Sequence, residues 1–178
     1  MAASPIRVLV VDDYEPFRRF VRSTLERRPE LEIVREASDG LEAVRQAEEL
    51  QPDLILFDLG LPTLNGIEAT RRVRKLSPNS KILFVSQESS TDIAQEAFRS
   101  GALGYVAKTD AGRELLTAVN TVLRGEVFTS SKIAECNFTG ALSPILMRPD
   151  AGATPWARPQ HPSPDNPAKA FVTPSQER

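Results

Sequence analysis

Hydrophobic residues between positions 6 and 125 fall into alternating runs of two kinds. The short β-branched run 6–11 (IRVLVV), ended by acids, reads as a strand, and 53–57 (DLILF), uniformly apolar inside, reads as a strand covered on both faces. Residues 32–37, 81–85 (KILFV) and 104–107 (GYVA) make three more strand candidates. Between them, apolar positions recur three and four apart. The series are Phe17, Phe20, Val21 and Leu25; Leu41, Val44 and Ala47; Ile67, Val73 and Leu76; Ile93, Ala94, Ala97 and Phe98; and Leu115, Val119 and Val122. That spacing places each series on one face of a helix. Pro16 suits a first helical turn, and Gly101 and Gly125 stand where the fourth and fifth helices should stop. Five strand–helix units in succession predict a parallel sheet with helices on both faces, a three-layer α/β/α domain.

The pattern fails beyond the fifth helix. Eight of the 14 prolines lie between Pro144 and Pro174. The stretch 155–167 (PWARPQHPSPDNP) can sustain neither a helix nor an inner strand, because proline lacks the donor and fixes φ. Trp156, Phe171 and Val172 are too sparse for a second core. The expected organisation is therefore a domain over 1–127, a linker-like piece over 128–143 and a disordered proline-rich tail over 144–178. Charge alters little. With 22 Lys and Arg against 24 Asp and Glu, the net charge of −2 gives no case for a nucleic-acid or anionic-membrane surface. The single cysteine, Cys136, rules out an intramolecular disulfide. It lies in the unpatterned region with His161, so neither is assigned any chemistry. A reducing compartment and the lack of a signal-peptide or membrane-spanning pattern lead to the expectation of a cytoplasmic protein with no membrane contact.

In open α/β sheets, ligands bind beyond the carboxyl ends of the strands. Asp12 and Asp13 follow the first strand, Asp58 the third, Ser86 the fourth and Lys108 the fifth. Any one of these alone reads as a turn residue, a helix cap or a solvated charge. Together they gather three carboxylates, a hydroxyl and an ammonium at one sheet edge. Clustered acids repel unless a cation joins them, and an oxygen-only donor set favours a hard ion, Mg²⁺ over Zn²⁺. A carboxylate beside such an ion and a lysine can accept a phosphoryl group, since the charges of the incoming oxygens are shielded.

The segments VLVVDDY (8–14), DLILFDLGLPTLNGIE (53–68), KILFVSQES (81–89) and GALGYVAKTD (101–110) resemble response-regulator receiver domains of two-component signalling. The resemblance covers residues 6 to about 125, and it is nearest to receivers of helix-turn-helix DNA-binding regulators. It implies a flavodoxin-like fold with a five-stranded parallel sheet in the order 2-1-3-4-5. It further implies Asp58 as phosphoacceptor, and Asp13, Asp12, Asp58 and the Gly60 carbonyl around Mg²⁺. Lys108 would pair with the phosphoryl oxygens, Ser86 and Tyr105 would act as the switch pair, and Pro62 and Gly66 would shape the loop after the acceptor. The partners implied are a sensor histidine kinase or phosphotransfer protein, and downstream a protein or second copy at the fourth helix, fifth strand and fifth helix, where Leu116 and Leu123 would be partly exposed.

Two departures stand out. Gln87 follows Ser86 where the family usually has a smaller residue, and Thr109 follows Lys108 where many members have proline. Residues 125–134 (GEVFTSSKIA) resemble the start of a linker to a helix-turn-helix domain, yet Pro144, Pro149 and Pro155 leave no room for a recognition helix. The chain thus reads as a phosphorylatable module without direct nucleic-acid contact. The alternatives are a DNA-binding regulator lacking its output domain and an aspartyl-phosphate hydrolase. The latter usually carries a second Asp two residues after its nucleophile, where Gly60 stands here.

Overall fold

The computed structural model describes residues 4–134. Six parallel strands form one sheet: β1 (Ile6–Val11), β2 (Leu31–Ala37), β3 (Leu54–Phe57), β4 (Lys81–Ser86), β5 (Gly104–Ala107) and β6 (Phe128–Thr129), in the order β2-β1-β3-β4-β5-β6. Helices α1 (Glu15–Leu25), α2 (Gly40–Leu50), α3 (Gly66–Leu76), α4 (Thr91–Arg99) and α5 (Ala111–Leu123) connect them, and a short α6 (Ser131–Ala134) follows β6. The flavodoxin-like α/β class agrees with the sequence expectation, and β6 is the addition to it.

Alternation along the buried strands sorts the core into two halves. Val8 and Val10 of β1, with Leu54, Leu56, Leu83 and Val85, pack against Val21 and Leu25 of α1 and Leu115, Val119 and Val122 of α5. Leu9, Val11, Ile55, Phe57, Ile82 and Phe84 face the other way. They meet Ala43, Val44 and Ala47 of α2, Ala69 and Val73 of α3, and Ala94 and Ala97 of α4. Small residues at the helix contacts let these helices lie close to the sheet. Leu116 and Leu123 pack against the first of these clusters and are half-buried.

The sixth strand explains why a five-strand reading stopped short. The four connections from β1 to β5 share one hand: α1 lies on the α5 face and leads away from the other strands, while α2, α3 and α4 lie on the opposite face and lead towards β5. Helix α5 lies on the α1 face, yet β6 continues in the β4–β5 direction, so this crossover has the opposite hand. That hand is rare between parallel strands, and here the strand is only two residues long. Gly104 pairs with Phe128 and Tyr105 with Thr129. The chain then turns around the β5 edge, and Ile133 of α6 is fully buried in the cluster of the α2–α4 face.

Candidate phosphoacceptor site

Because β2 lies on one side of β1 and the later strands on the other, the sheet order reverses between β1 and β3. The residues after these two strands meet there. Asp12 bonds through its N–H to the Ala37 carbonyl, and Asp58 through its N–H to the Val11 carbonyl, so both loops leave the sheet in register. Ligand oxygens of Asp12, Asp13 and Asp58 all lie within 4.8 Å of one another. Asp12 and Asp58 are buried and Asp13 is exposed. This set contains only hard oxygen donors with one open side, which fits Mg²⁺.

Lys108 reaches this cluster from the end of β5. Its Nζ lies 2.6 Å from Asp12 Oδ2 and 3.2 Å from Asp58 Oδ2, with the side chain 9% exposed. The Phe17 ring centroid is 4.6 Å from the same nitrogen. Asp58 Oδ1 accepts the Leu59 N–H at 2.8 Å, so both carboxylate oxygens are engaged and the group is held in one orientation. Burial pushes the Asp12 carboxyl above its usual 3.8, assisted by the nearby Asp58 charge, and the hydrogen bonds from Lys108 and the Tyr14 N–H only partly offset this. Arg18 donates to the Asp12 carbonyl at 2.7 Å from α1.

The loop after Asp58 is set by backbone proximity. A Cβ at Gly66 would lie 2.3 Å from the Asp58 carbonyl oxygen, so only glycine lets α3 begin there. Thr63 adopts φ 62°, in the left-handed region, next to Pro62. Gly60 is exposed, and a Cβ there would sit 3.9 Å from Asp58 Oδ2, which places its peptide beside the cluster.

Ser86 ends β4 and is buried, and its Oγ accepts the Glu88 N–H at 3.2 Å. The Tyr105 hydroxyl donates to the Glu88 carbonyl at 2.8 Å. Ser86 and Tyr105 thus hold the same turn of the β4–α4 loop. The family resemblance implies these two residues as a switch pair. In this structure the ring is already fully buried beside Phe84, at 6.3 Å between centroids, and burial raises its hydroxyl pKa to about 12. Gln87 is exposed, and the 108–109 peptide is trans. Cys136 and His161 lie outside the described residues.

Sequence reasoning missed four participants. Phe17 reads only as one apolar position of α1, and nothing in its spacing points towards Lys108. Arg18 follows two residues that already explain the helix start. Glu114 accepts from Ser130 Oγ, Ser131 Oγ at 2.7 Å and Ser131 N–H at 3.3 Å, which fastens the α5–β6–α6 turn. Lys132 Nζ donates to Thr109 Oγ1 at 3.0 Å, next to Lys108.

The arrangement of these strand ends has a counterpart in a known family, the response regulator receiver domain, whose model matches residues 8–120. The chain belongs to that family. It is similar to the transcriptional regulatory protein LiaR of Bacillus subtilis, 39% identical over 129 residues, which cover 72% of this chain and 61% of LiaR. Among solved structures, a LuxR-family two-component response regulator from Aurantimonas sp. SI85-9A1 matches with a TM-score of 0.71 and 39% identity, covering 74% of this chain and 94% of that one. The response regulator domain of Thermotoga maritima CheB matches with a TM-score of 0.63 and 35% identity, covering 67% and 97%. The chain spans between 54% and 61% of the length of the curated relatives it matches. It therefore contains the receiver domain of a two-component response regulator, a class of domain that signals rather than turning over a substrate, and its acidic cluster fits phosphorylation and Mg²⁺. Among the described residues, no helix is long and apolar enough to cross a membrane.

Proposed function

We propose that this receiver accepts a phosphoryl group from a phosphohistidine donor, a sensor kinase or phosphotransfer protein, onto Asp58, and signals through protein contacts. The observation that carries the reading is the placement of the Lys108 ammonium between two buried carboxylates at the switch point of the sheet. A buried lysine and aspartate pair is ordinarily a costly way to stabilise a fold. Here it pre-positions a nucleophile and a charge clamp within one hydrogen bond of each other. Asp12, Asp13, Asp58 and the Gly60 carbonyl would hold Mg²⁺, which when bound neutralises charge on the phosphoryl oxygens. Asp58 supplies the attacking oxygen, and the donor's P–N bond breaks with its electron pair leaving on the imidazole nitrogen. Lys108 then turns from Asp58 towards the phosphoryl oxygens. Ser86 donates to one of those oxygens, which frees the Glu88 N–H. Tyr105 anchors the other side of that turn, so the β4–α4 loop is where the change begins. Output would follow at the surface of α4, β5 and α5, to a partner or a second copy of the chain. The β5 edge itself is taken by β6, so such a partner would meet β6 and α6 as well.

Incubation with a small acyl-phosphate donor, followed by intact mass, tests this. One added phosphoryl group, dependent on Mg²⁺ and lost in Asp58→Asn, is the expected result. Uptake at the normal rate by Asp58→Asn would refute it. A second reading, a transcription regulator acting through further sequence, is favoured by the names of relatives such as LiaR and DegU. DNA binding by the chain itself, before or after phosphorylation, would favour that reading over output by protein contacts alone.

A further inference from the structure

Among the described residues, the Lys108 ammonium has three close partners of two different kinds. Two are carboxylates, Asp12 Oδ2 and Asp58 Oδ2, and the third is the face of Phe17, 4.6 Å from the ammonium to the ring centroid. The ring reaches this position because α1 starts immediately after the acidic pair. Tyr14 donates its N–H to Asp12 Oδ1 at 2.8 Å, Pro16 occupies the first turn, and Phe17 donates its N–H back to the Tyr14 carbonyl at 3.0 Å. Phe20 supports the ring from the next turn, with centroids 5.5 Å apart. Phe17 also lines a small recess with Val10, Asp12, Leu56, Asp58 and Val85 directly under the site.

The three contacts respond differently to chemistry at Asp58. Phosphorylation of Asp58 to the acyl phosphate weakens its bond to the ammonium, and Asp12 shares its charge with whatever cation the acidic cluster holds. The attraction of an aromatic face for a cation depends on neither event. A ring also holds the ammonium without adding negative charge, whereas a third carboxylate there would repel an incoming phosphoryl group. We infer that Phe17 is a positioning residue for phosphoryl transfer, an aromatic floor that keeps the Lys108 ammonium over the acceptor while its carboxylate partners change. The inference rests on the reading of Asp58 as acceptor.

The test replaces Phe17 site-specifically with phenylalanines carrying increasing numbers of ring fluorines, which weaken the face electrostatically at nearly constant shape. The rate constant for phosphorylation by a small acyl-phosphate donor should fall stepwise with each fluorine, by about three- to tenfold for the fully fluorinated ring. The melting midpoint should not fall with it. Phe17→Trp should retain the rate and Phe17→Leu should lose it. A second readout needs neither donor nor metal: the Lys108 Cε protons should show an upfield ring-current shift in the wild type that Phe17→Leu removes. A flat rate across the series, or a rate that follows stability instead of fluorine number, would overturn the inference, as would ordinary Lys108 shifts in the wild type. If the wild type takes up no phosphoryl group, the acceptor reading fails, and the ring-current comparison still decides whether Phe17 holds the lysine.

Discussion

Ile133 stands eight residues beyond Gly125, where the fifth helix has ended, yet it is fully buried in the cluster of the α2–α4 face with Ala94, Ala97 and Tyr105. It is held there by main-chain bonds on both sides of the turn: Phe128 N–H to the Leu103 carbonyl, Ser130 N–H to the Tyr105 carbonyl, and Ile133 N–H to the Ser130 carbonyl. Truncating a fully buried isoleucine to alanine removes its transfer free energy and leaves a cavity, about 2–5 kcal/mol, while Ile→Val costs about 0.5–1.5 kcal/mol. Because α6 is a single four-residue turn that can partly collapse, the lower half of the first range applies, about 2–3 kcal/mol. For a domain of this size that corresponds to a drop of roughly 6–12 °C in melting midpoint. Urea unfolding of the metal-free protein measures it directly, with Leu76→Ala as a control on a side chain that is 39% exposed. The wild type, Ile133→Val and Ile133→Ala should fall in that order at an unchanged denaturant slope. A loss below about 1 kcal/mol for Ile133→Ala, no greater than for Leu76→Ala, would refute the packing of this segment as part of the domain.

Three further outcomes follow from the charged groups. Burial raises the Glu114 carboxyl, but the hydrogen bonds from Ser130 and Ser131 outweigh it and leave the pKa below its ordinary 4.5. A depressed carboxylate stabilises the fold above its unfolded pKa and loses that contribution as pH falls through its folded one. Glu114→Ala should therefore cost about 1–3 kcal/mol at pH 7 and converge on the wild type in acid, in chemical denaturation at a series of pH values. The Asp12 shift has the opposite sign: a raised carboxylate costs stability at all pH values above its folded pKa, and the cost is relieved as pH falls. Asp12→Asn should accordingly raise the melting midpoint of the metal-free protein at neutral pH. If Asp12, Asp13 and Asp58 hold Mg²⁺ in the folded state alone, excess Mg²⁺ should raise the wild-type midpoint, and Asp13→Ala should abolish the rise; an unmoved wild type would count against the site.

Much of the framework was legible because buried parallel strands are uniformly apolar and their ends are chemically distinct. Strands β1 and β5 were read with their observed limits, and the other three within about a residue. The strand order came from family resemblance, since periodicity says nothing about which strands are neighbours. Asp12, Asp13, Asp58, Ser86 and Lys108 were found because each lies at or just beyond the carboxyl end of a strand, and the sheet brings those ends together. What stayed hidden involved contacts between elements distant in sequence. Strand β6 has two residues and an unfavoured crossover, so no periodic signal could reveal it. Tyr105 was recognised as a candidate switch, but its rotamer depends on the room left by Phe84 and the Glu88 carbonyl. Phe17 was legible as a helix-face residue and illegible as a lysine contact, because the two lie on different sides of the sheet edge in sequence and meet only after folding.

The identity of the phosphorylated residue tests the proposed function most directly. After reaction with an acyl-phosphate donor and Mg²⁺, borohydride reduction converts an aspartyl phosphate to homoserine, and peptide mass spectrometry then reads the position. Conversion at residue 58 alone, absent without Mg²⁺, is the predicted result. Conversion at residue 12 or 13, or a phosphoryl group on Ser86, would contradict it.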